Sequence, residues 1–333
     1  TNANLNWRDD SSGDEYKVRI ASLISGKIEP DTSFPLTMEL SVQNKQALQS
    51  QLQLSTQVSI NQTRIQLTSM KLQVQASGDM VPVGNVQLDL STGLSFSLAD
   101  QQLGLSGFAL KLESQGGALQ QTEVSLAGEI GFNVAKQQLD IAVLELQAAL
   151  TDPALPRGQL NSNLSAAAMQ VSLAGQSVDI KDMQLSIAEN DIKGQVMVRD
   201  YSRPDVEFTL SAESVDVDRI LGPAEKDLPQ PPGSTDPSSQ KPDVQIALPN
   251  EMLRALKLKG QLDVATLRAS NMTFNDVHVQ VAADQGVLDI QPLRLNLYQG
   301  SFDGAVQVNV QKDVPVYRVS KKLSSFQLSL IHI

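Results

Sequence analysis

Residues able to carry out chemistry are few in this sequence. The chain of 333 residues has no cysteine, which excludes disulfides, thiolate catalysis and cysteine-based zinc sites. It has two histidines, His278 and His332. His278 stands between Val277 and Val279 in an alternating segment, so we expect it on the solvated face of a strand. His332 lies near the end of the chain and predicts no site.

Carboxylates are the other candidates. Asp9 and Asp10 are adjacent, and Asp216 and Asp218 flank one residue; we interpret both pairs as solvated loop or helix-cap residues. No glycine-rich phosphate loop, H-E-x-x-H pair or nucleophile elbow occurs in the sequence. Catalytic carboxylates pair in space, so an enzyme with dispersed carboxylates stays open as the last of three hypotheses. We expect no enzyme, no metal site and no cofactor.

Charge and composition exclude further classes. The formal net charge is −11 and the pI is about 4.7, which opposes nucleic-acid binding and direct docking on anionic lipid headgroups. Aromatic residues make up only 4% of the chain, whereas aliphatic residues are plentiful. Any apolar surface is therefore aliphatic.

The elements that would position a site are β-strands. One pattern, apolar-x-apolar-x-x-apolar-x-apolar, occurs at 65–72, 139–146, 178–185 and 288–295. Alternation is strand spacing, and the two-residue interruption reverses its parity. A bulge, bend or turn at the interruption would return both apolar pairs to one face. We predict such an irregularity at the same place in each copy.

An aspartate recurs at the second position of three copies: Asp140, Asp179 and Asp289. We interpret these carboxylates as serving strand-edge or turn geometry, where charge opposes aggregation.

The organisation along the chain has four parts. Residues 1–221 form the first β region, with weak structure over the first 35 residues and strand character at 17–23. Residues 222–242 hold six prolines and indicate an exposed linker or loop. Residues 243–328 continue the strands, and 329–333 form a tail without functional weight. Short helices are predicted at 216–221 and 251–256.

An antiparallel sheet with one apolar face must cover that face. One solution is a sandwich, in which a second sheet covers the first. The other is a strongly curled sheet whose inner groove holds lipid, at about 0.8 kcal/mol per sequestered methylene. The scarcity of aromatics favours the groove, so we predict a mainly β chain with a long, antiparallel, strongly curled sheet and few short helices.

The C-terminal third carries two recognisable short motifs. The segment Leu297-Tyr298-Gln-Gly300, followed by Gly304, is similar to the "LYxG…G" signature of the AsmA family. Val215-Asp-Val-Asp-Arg-Ile-Leu221, ahead of the proline-rich segment, resembles its "LDLDRYL" element. The resemblance is specific over 213–328 and looser over 36–212.

The resemblance implies a periplasmic protein of Gram-negative bacteria, anchored to the inner membrane by an N-terminal helix absent from this sequence. It implies a role in outer-membrane assembly and lipid homeostasis. In AsmA and TamB-like proteins, a curled sheet is thought to carry phospholipids in its hydrophobic groove. Phospholipids, the inner membrane and outer-membrane assembly proteins are thus the expected partners, and nucleic acid is not.

Two hypotheses rank above the enzyme hypothesis. In the first, a lipid-conducting groove is lined by aliphatic residues of the C-terminal region. These residues are Leu288, Ile290, Leu293, Leu295, Leu297, Val306, Val308 and Val310. In the second, the sheet is packed dry and serves as an assembly factor that adds strands of outer-membrane proteins at an exposed edge.

Overall fold

A computed structural model describes residues 3–8, 14–44, 48–79, 81, 84–117, 120–221, 254–312 and 314–325. The chain divides into two compact units, Thr1–Glu189 (unit 1) and Asn190–Ile333 (unit 2).

Unit 1 is an antiparallel meander in which each described strand pairs with the next one along the chain. Gly, Asn and Asp punctuate the alternating runs, so each run ends in a tight connection that reverses the chain. Its strands are β1 (Ala3–Arg8), β2 (Glu15–Ser25), β3 (Ser33–Asn44), β4 (Leu48–Ile60), β5 (Arg64–Ser77), β6 (Asn85–Ser97), β7 (Gln102–Gln115), β8 (Gln121–Asn133), β9 (Gln138–Thr151), β10 (Gln159–Ser172) and β11 (Ser177–Ile187).

Unit 2 continues with shorter strands and one helix. They are β12 (Asn190–Arg199), β13 (Asp205–Asp216), α1 (Val217–Leu221), β14 (Lys257–Ala269), β15 (Met272–Asp284), β16 (Val287–Leu297), β17 (Gly300–Asn309) and β18 (Val316–Ser324). The pairs from β14 to β18 and the β12–β13 pair are antiparallel.

One pair in unit 2 departs from the expected antiparallel order. β13 and β14 are parallel, from Asp205 opposite Lys257 to Asp216 opposite Arg268. A parallel pair needs a long crossover connection. The chain between them passes through α1 and residues 222–253, so the predicted linker at 222–242 lies outside the described residues.

The predicted fold class is confirmed, since described residues are mostly strand and helices are few and short. The predicted first helix is α1, and the backbone N–H of Arg219 donates to the Asp216 carboxylate over 3.1 Å, as expected of a cap. Of the predicted second helix, Arg254 and Ala255 are helical, and 251–253 lie outside the described residues. Regular structure begins earlier than predicted, because β1 and β2 pair with each other within the first 35 residues.

Each unit is a single layer in its described part. Apart from α1 against β14 and a 3-10 turn (Pro156–Gly158) against β10, substantial contacts within each unit join strands adjacent in the ladder. A sandwich, the other architecture the sequence left open, is therefore not observed within the described part of either unit.

Candidate functional site

Each copy of the eight-residue pattern contains a backbone irregularity at its fifth position. Ser69, Val143 and Asp182 occupy that position in the first three copies, with left-handed φ values of 53°, 52° and 49°. In the fourth copy the position is Pro292, which follows a cis peptide bond from Gln291. The prediction that each copy bends at the same place is confirmed.

The irregularities restore the apolar face, as the pattern requires. In β16 the register passes from Ile290 opposite Val306 to Leu293 opposite Gly304, so three steps on β16 match two on β17. This extra residue is a β-bulge. Because opposite residues share a face, the apolar residues before and after the bulge lie on one side of the sheet.

The bulges in unit 1 line up across the strands. The register places the irregularities of β5, β7, β9 and β11 (at Ser69, Gly107, Val143 and Asp182) along one line perpendicular to the strands. We call the apolar-face residues along this line the floor row. Its members are Thr56, Met70, Thr92, Phe108, Gly128, Leu144, Ala166 and Met183.

Several members of the floor row are buried. Leu144 and Met183 are each 8% exposed, Ala166 4%, and Thr92 5%. No described element packs over this face. A bulge bends its strand, so we attribute this burial to the bending of successive strands along the floor row. The two halves of each strand then form the walls of a trough that runs across the strands.

The polar groups of the floor are satisfied within the sheet. A bulge disrupts the ladder and leaves backbone groups unpaired. The Thr56 hydroxyl donates to the carbonyl of Thr68 over 3.2 Å, and the Thr92 hydroxyl donates to that of Ser106 over 3.3 Å. Both carbonyls lie at bulges of neighbouring strands. The floor thus presents carbon atoms rather than free hydrogen-bonding groups.

The predicted C-terminal groove residues share one face of unit 2. Cross-strand pairs join Leu288 with Val308, and Leu297 with Gly300. By register the remaining ones on β16 and β17 (Ile290, Leu293, Leu295 and Val306) lie on the same side. Val310 follows β17 and is 1% exposed. Their role as a lipid lining stays a prediction.

Leu295 differs from the other predicted residues because it packs on a core cluster. Val215, Val264 and Val277 form this cluster, and Leu295 lies against it. A charge at Leu295 would therefore test stability rather than lipid binding.

The signature residues have structural roles. Tyr298 and Gln299 form the two-residue turn between β16 and β17, with φ values of 48° and 63°, as a type I′ hairpin requires. Gly300 begins β17. A Cβ on Gly304 would lie 2.6 Å from the Phe302 ring, so only glycine lets this ring lie over the backbone.

Carboxylates on the opposite, polar face accept hydrogen bonds from glutamine amides or form salt bridges with lysines. The amides of Gln170 and Gln138 donate to Asp140 and hold its pKa below the ordinary value. Asp179 pairs with Lys181 over 3.3 Å, and Gln307 donates to Asp289 over 2.7 Å.

The strand-edge interpretation of these aspartates is wrong for Asp140. Gly131 and Gln170 lie opposite it on β8 and β10, so it is inside the sheet. Because the recurring aspartate alternates with apolar positions, it falls on the wet face, where it accepts cross-strand hydrogen bonds.

His278 lies on the polar face, as expected from its neighbours. Its Nδ1 is 2.5 Å from an Asp263 oxygen. Gln261 donates to the same carboxyl, and together with His278 it lowers the Asp263 pKa. The described residues contain no group of three or more acidic or histidine side chains placed to hold a metal ion.

The polar face also has shallow depressions. One of about 490 Å³ is lined by small residues along the bulges, among them Gly104, Gly131 and Ala168, together with Asp140 and Lys181. Another, of about 300 Å³, includes Lys111, whose salt bridges to Glu113 and Glu123 raise its pKa. In each depression the charged side chains named here are paired with neighbouring polar groups.

The chain belongs to the AsmA family, whose family model matches residues 1–331. No curated protein and no solved structure matches the chain. At the level of the family, membership supports a role in outer-membrane assembly or lipid transport and an association with the cell envelope. No helix within the described ranges has the length and apolar character to cross a bilayer.

Sequence reasoning missed the floor row, because it located the groove in the C-terminal third. The signal that could have found it is the interruption itself, since three of the four copies lie in unit 1. Each interruption marks where its strand bends.

Proposed function

We propose that this protein binds and conducts phospholipids along the apolar face of its sheet. We propose further that it does so in the periplasm, anchored to the inner membrane, and that it supports outer-membrane assembly and lipid homeostasis. Neither catalysis nor a cofactor enters this function.

The observation that carries the proposal is the trough of unit 1. A single-layer sheet with an aliphatic face is not stable in water unless that face is covered. The floor row is apolar and its hydroxyls are internally bonded. Acyl chains need aliphatic lining without specific polar partners, and each sequestered methylene contributes about 0.8 kcal/mol. The trough therefore suits lipid tails better than a polar ligand.

The test compares adjacent residues on opposite faces of β8. Leu126 lies on the apolar face and Ser125 on the polar face, and both are half-buried. Protein purified without detergent should carry phospholipid, detected by mass spectrometry of the organic extract. Leu126→Asp should fold and lose most of this lipid, because a charge in the trough opposes acyl chains. Ser125→Asp should keep it.

Two outcomes contradict the proposal: no co-purifying phospholipid in the wild type, or equal lipid content in both variants. Circular dichroism of each variant separates lost binding from lost folding. If Leu126→Asp unfolds instead, the face is a dry core.

The alternative function is an assembly factor that adds a strand at a sheet edge. One observation favours it: β18 is exposed along its length and, among described residues, pairs only with β17. It also carries Arg318, Lys321 and Lys322 within an acidic protein. Under this alternative, Leu126→Asp would not affect partner binding, and proline at Val319 in β18 would abolish it.

A further inference from the structure

One turn recurs three times at the same end of the unit 1 strands. It joins β6 to β7, β8 to β9 and β10 to β11. Its sequences are Ser97-Leu-Ala-Asp-Gln-Gln102, Asn133-Val-Ala-Lys-Gln-Gln138 and Ser172-Leu-Ala-Gly-Gln-Ser177. The glutamine at the fifth position has a left-handed φ of 50°, 50° and 47° in the three copies. The three connections are therefore built alike.

Short polar side chains close each copy of this turn. The first residue accepts, through its side-chain oxygen, the backbone N–H of the fourth residue. The distances are 3.3 Å at Ser97, 2.8 Å at Asn133 and 2.9 Å at Ser172. Such side-chain to backbone bonds stabilise turns by themselves. The turn therefore does not require the aliphatic residue that stands at its second position.

That second residue is exposed in every copy. It is Leu98 (49% exposed), Val134 (45%) or Leu173 (52%), and we call these three residues the lip. Their N–H groups donate to carbonyls of the preceding strand's connection over 2.8 to 2.9 Å, so each continues its ladder one residue beyond the strand. By alternation their side chains continue the apolar face. Single exposed aliphatic residues need no explanation, but these three occupy one place in one repeated turn.

A continuous apolar row lies beside the lip on the same face. Each strand from β4 to β11 contributes one residue to it, and the register places these residues side by side. They are Ile60, Ile65, Phe96, Leu103, Phe132, Leu139, Val171 and Val178. We call them the wall row, because they lie on one wall of the trough. None of them is fully buried, so the wall row is open to a ligand.

We infer that the repeated turn is an acyl-binding element, in which the lip residues contact lipid tails that lie against the wall row. This inference rests on the proposed function and adds a second set of contacts to the same site. A tail on the wall row keeps one side in water, and an aliphatic residue beyond that row removes part of this side from water. Successive copies are two strands apart, about 10 Å, so each contacts a different part of the bound lipid and acts independently.

The test replaces the lip by serine and compares it with the next residue of each turn. The variants are Leu98→Ser, Val134→Ser and Leu173→Ser, singly and together. The control combines Ala99→Ser, Ala135→Ser and Ala174→Ser, whose alanines are also exposed. Each protein is loaded from a limiting amount of vesicles of phosphatidylethanolamine and phosphatidylglycerol. The phospholipid retained per protein after size-exclusion chromatography is then measured.

The triple lip variant should retain less than about a quarter of the wild-type phospholipid, because losing the burial of one methylene alone weakens binding about fourfold. The single variants should each lose a smaller part, since independent contacts add. The control should match the wild type. Circular dichroism should be the same for all, because the changes are on the surface. If the triple variant unfolds, the three single variants decide the question in the same way.

Wild-type lipid content in the lip variants, or an equal loss in the control, would overturn this inference and leave the proposed function intact. The inference would also be wrong if the lip variants kept their lipid but lost vesicle co-sedimentation or self-association. The lip would then contact a bilayer or a second copy of the chain. Absence of phospholipid from the loaded wild type would overturn the proposed function itself.

Discussion

Val143 has a backbone conformation that β-branched residues rarely adopt. It is β-branched, 62% exposed, and has a left-handed φ of 52° at the bulge of β9. Bulky branched residues are rare in this region because Cβ approaches the backbone. The bulge is kept because it returns the following leucines to the apolar face.

Val143→Gly should therefore stabilise the protein. A left-handed L-residue costs about 1–2 kcal/mol, and the extra chain entropy of glycine costs about 0.5–1 kcal/mol, so the expected gain is roughly 0.5–1 kcal/mol. Urea unfolding monitored by circular dichroism measures it. Val124→Gly, in the regular part of β8, is the control and should destabilise. A loss of stability in both variants would contradict this account of the bulge.

Asp140 makes folding stability depend on pH. Hydrogen bonds from Gln170 and Gln138 lower its folded-state pKa below the ordinary 3.8. A lowered folded-state pKa stabilises the protein above the unfolded-state pKa, and this contribution disappears as pH falls through the lowered value.

Asp140→Asn should consequently lower the free energy of unfolding at pH 7. At a pH where Asp140 is protonated in the folded wild type, the substitution should have no effect on stability. The carboxyl is on the wet face, so the loss at pH 7 should be below about 1 kcal/mol. Urea midpoints of both proteins between neutral pH and about pH 2 measure the difference. A difference that stays constant over this range would show that the Asp140 charge is not the cause.

At the scale of elements, a bulged strand depends on its neighbour. The carbonyl of Ser106 lies at the β7 bulge, and the hydroxyl of Thr92 on β6 donates to it. The same relation joins Thr56 on β4 to the bulge of β5. The line of bulges is thus supported from strand to strand.

Thr92→Val tests this support with a change of nearly equal volume. We expect a loss of about 0.5–1.5 kcal/mol, because the Ser106 carbonyl loses a hydrogen-bond donor. Thr122→Val is the matched control: it lies on the same face, its hydroxyl makes no hydrogen bond with described residues, and its loss should be within about 0.5 kcal/mol. Hydrogen exchange of the β6 and β7 amides should rise only in Thr92→Val. Equal losses in the two variants would contradict the role of the hydroxyl.

Where each strand is interrupted was predictable from the sequence, but how the interruptions line up across the sheet was not. The position of the irregularity in each copy follows from the local pattern, because a bulge, bend or turn there is needed to return Leu139 and Leu146 to one face. The alignment of the irregularities in β5, β7, β9 and β11 could not be predicted. It depends on the register of every intervening pair, and register is set by hairpin lengths and packing between strands.

At the scale of the molecule, the parallel pair is the main departure from local order. β13 and β14 are separated in sequence by residues 217–256 but run side by side. Two further contacts join the flanking segments: Lys257 pairs with Asp205 over 2.8 Å, and Asp218 accepts the N–H groups of Ser270 and Asn271. A chain cut in the proline-rich segment should still be held together.

Cleavage at a protease site inserted after Gly233 tests this expectation. The two fragments should elute together in size-exclusion chromatography at neutral pH, since the β13–β14 ladder and its side-chain contacts do not involve the cut segment. They should separate in guanidinium. Separation without denaturant would mean that the parallel pair does not hold the two fragments together.

The sequence by itself determined the fold class, the place of the irregularity in each of the four copies, the solvated position of His278 and the family. All of these depend on local alternation or on short motifs. The tertiary structure decided the parallel pair and the position of the floor row, because each depends on which distant residues stand opposite one another. Thr92, Leu144 and Ala166 are inconspicuous in sequence. They share a role only because the register places them along one line of the same apolar face.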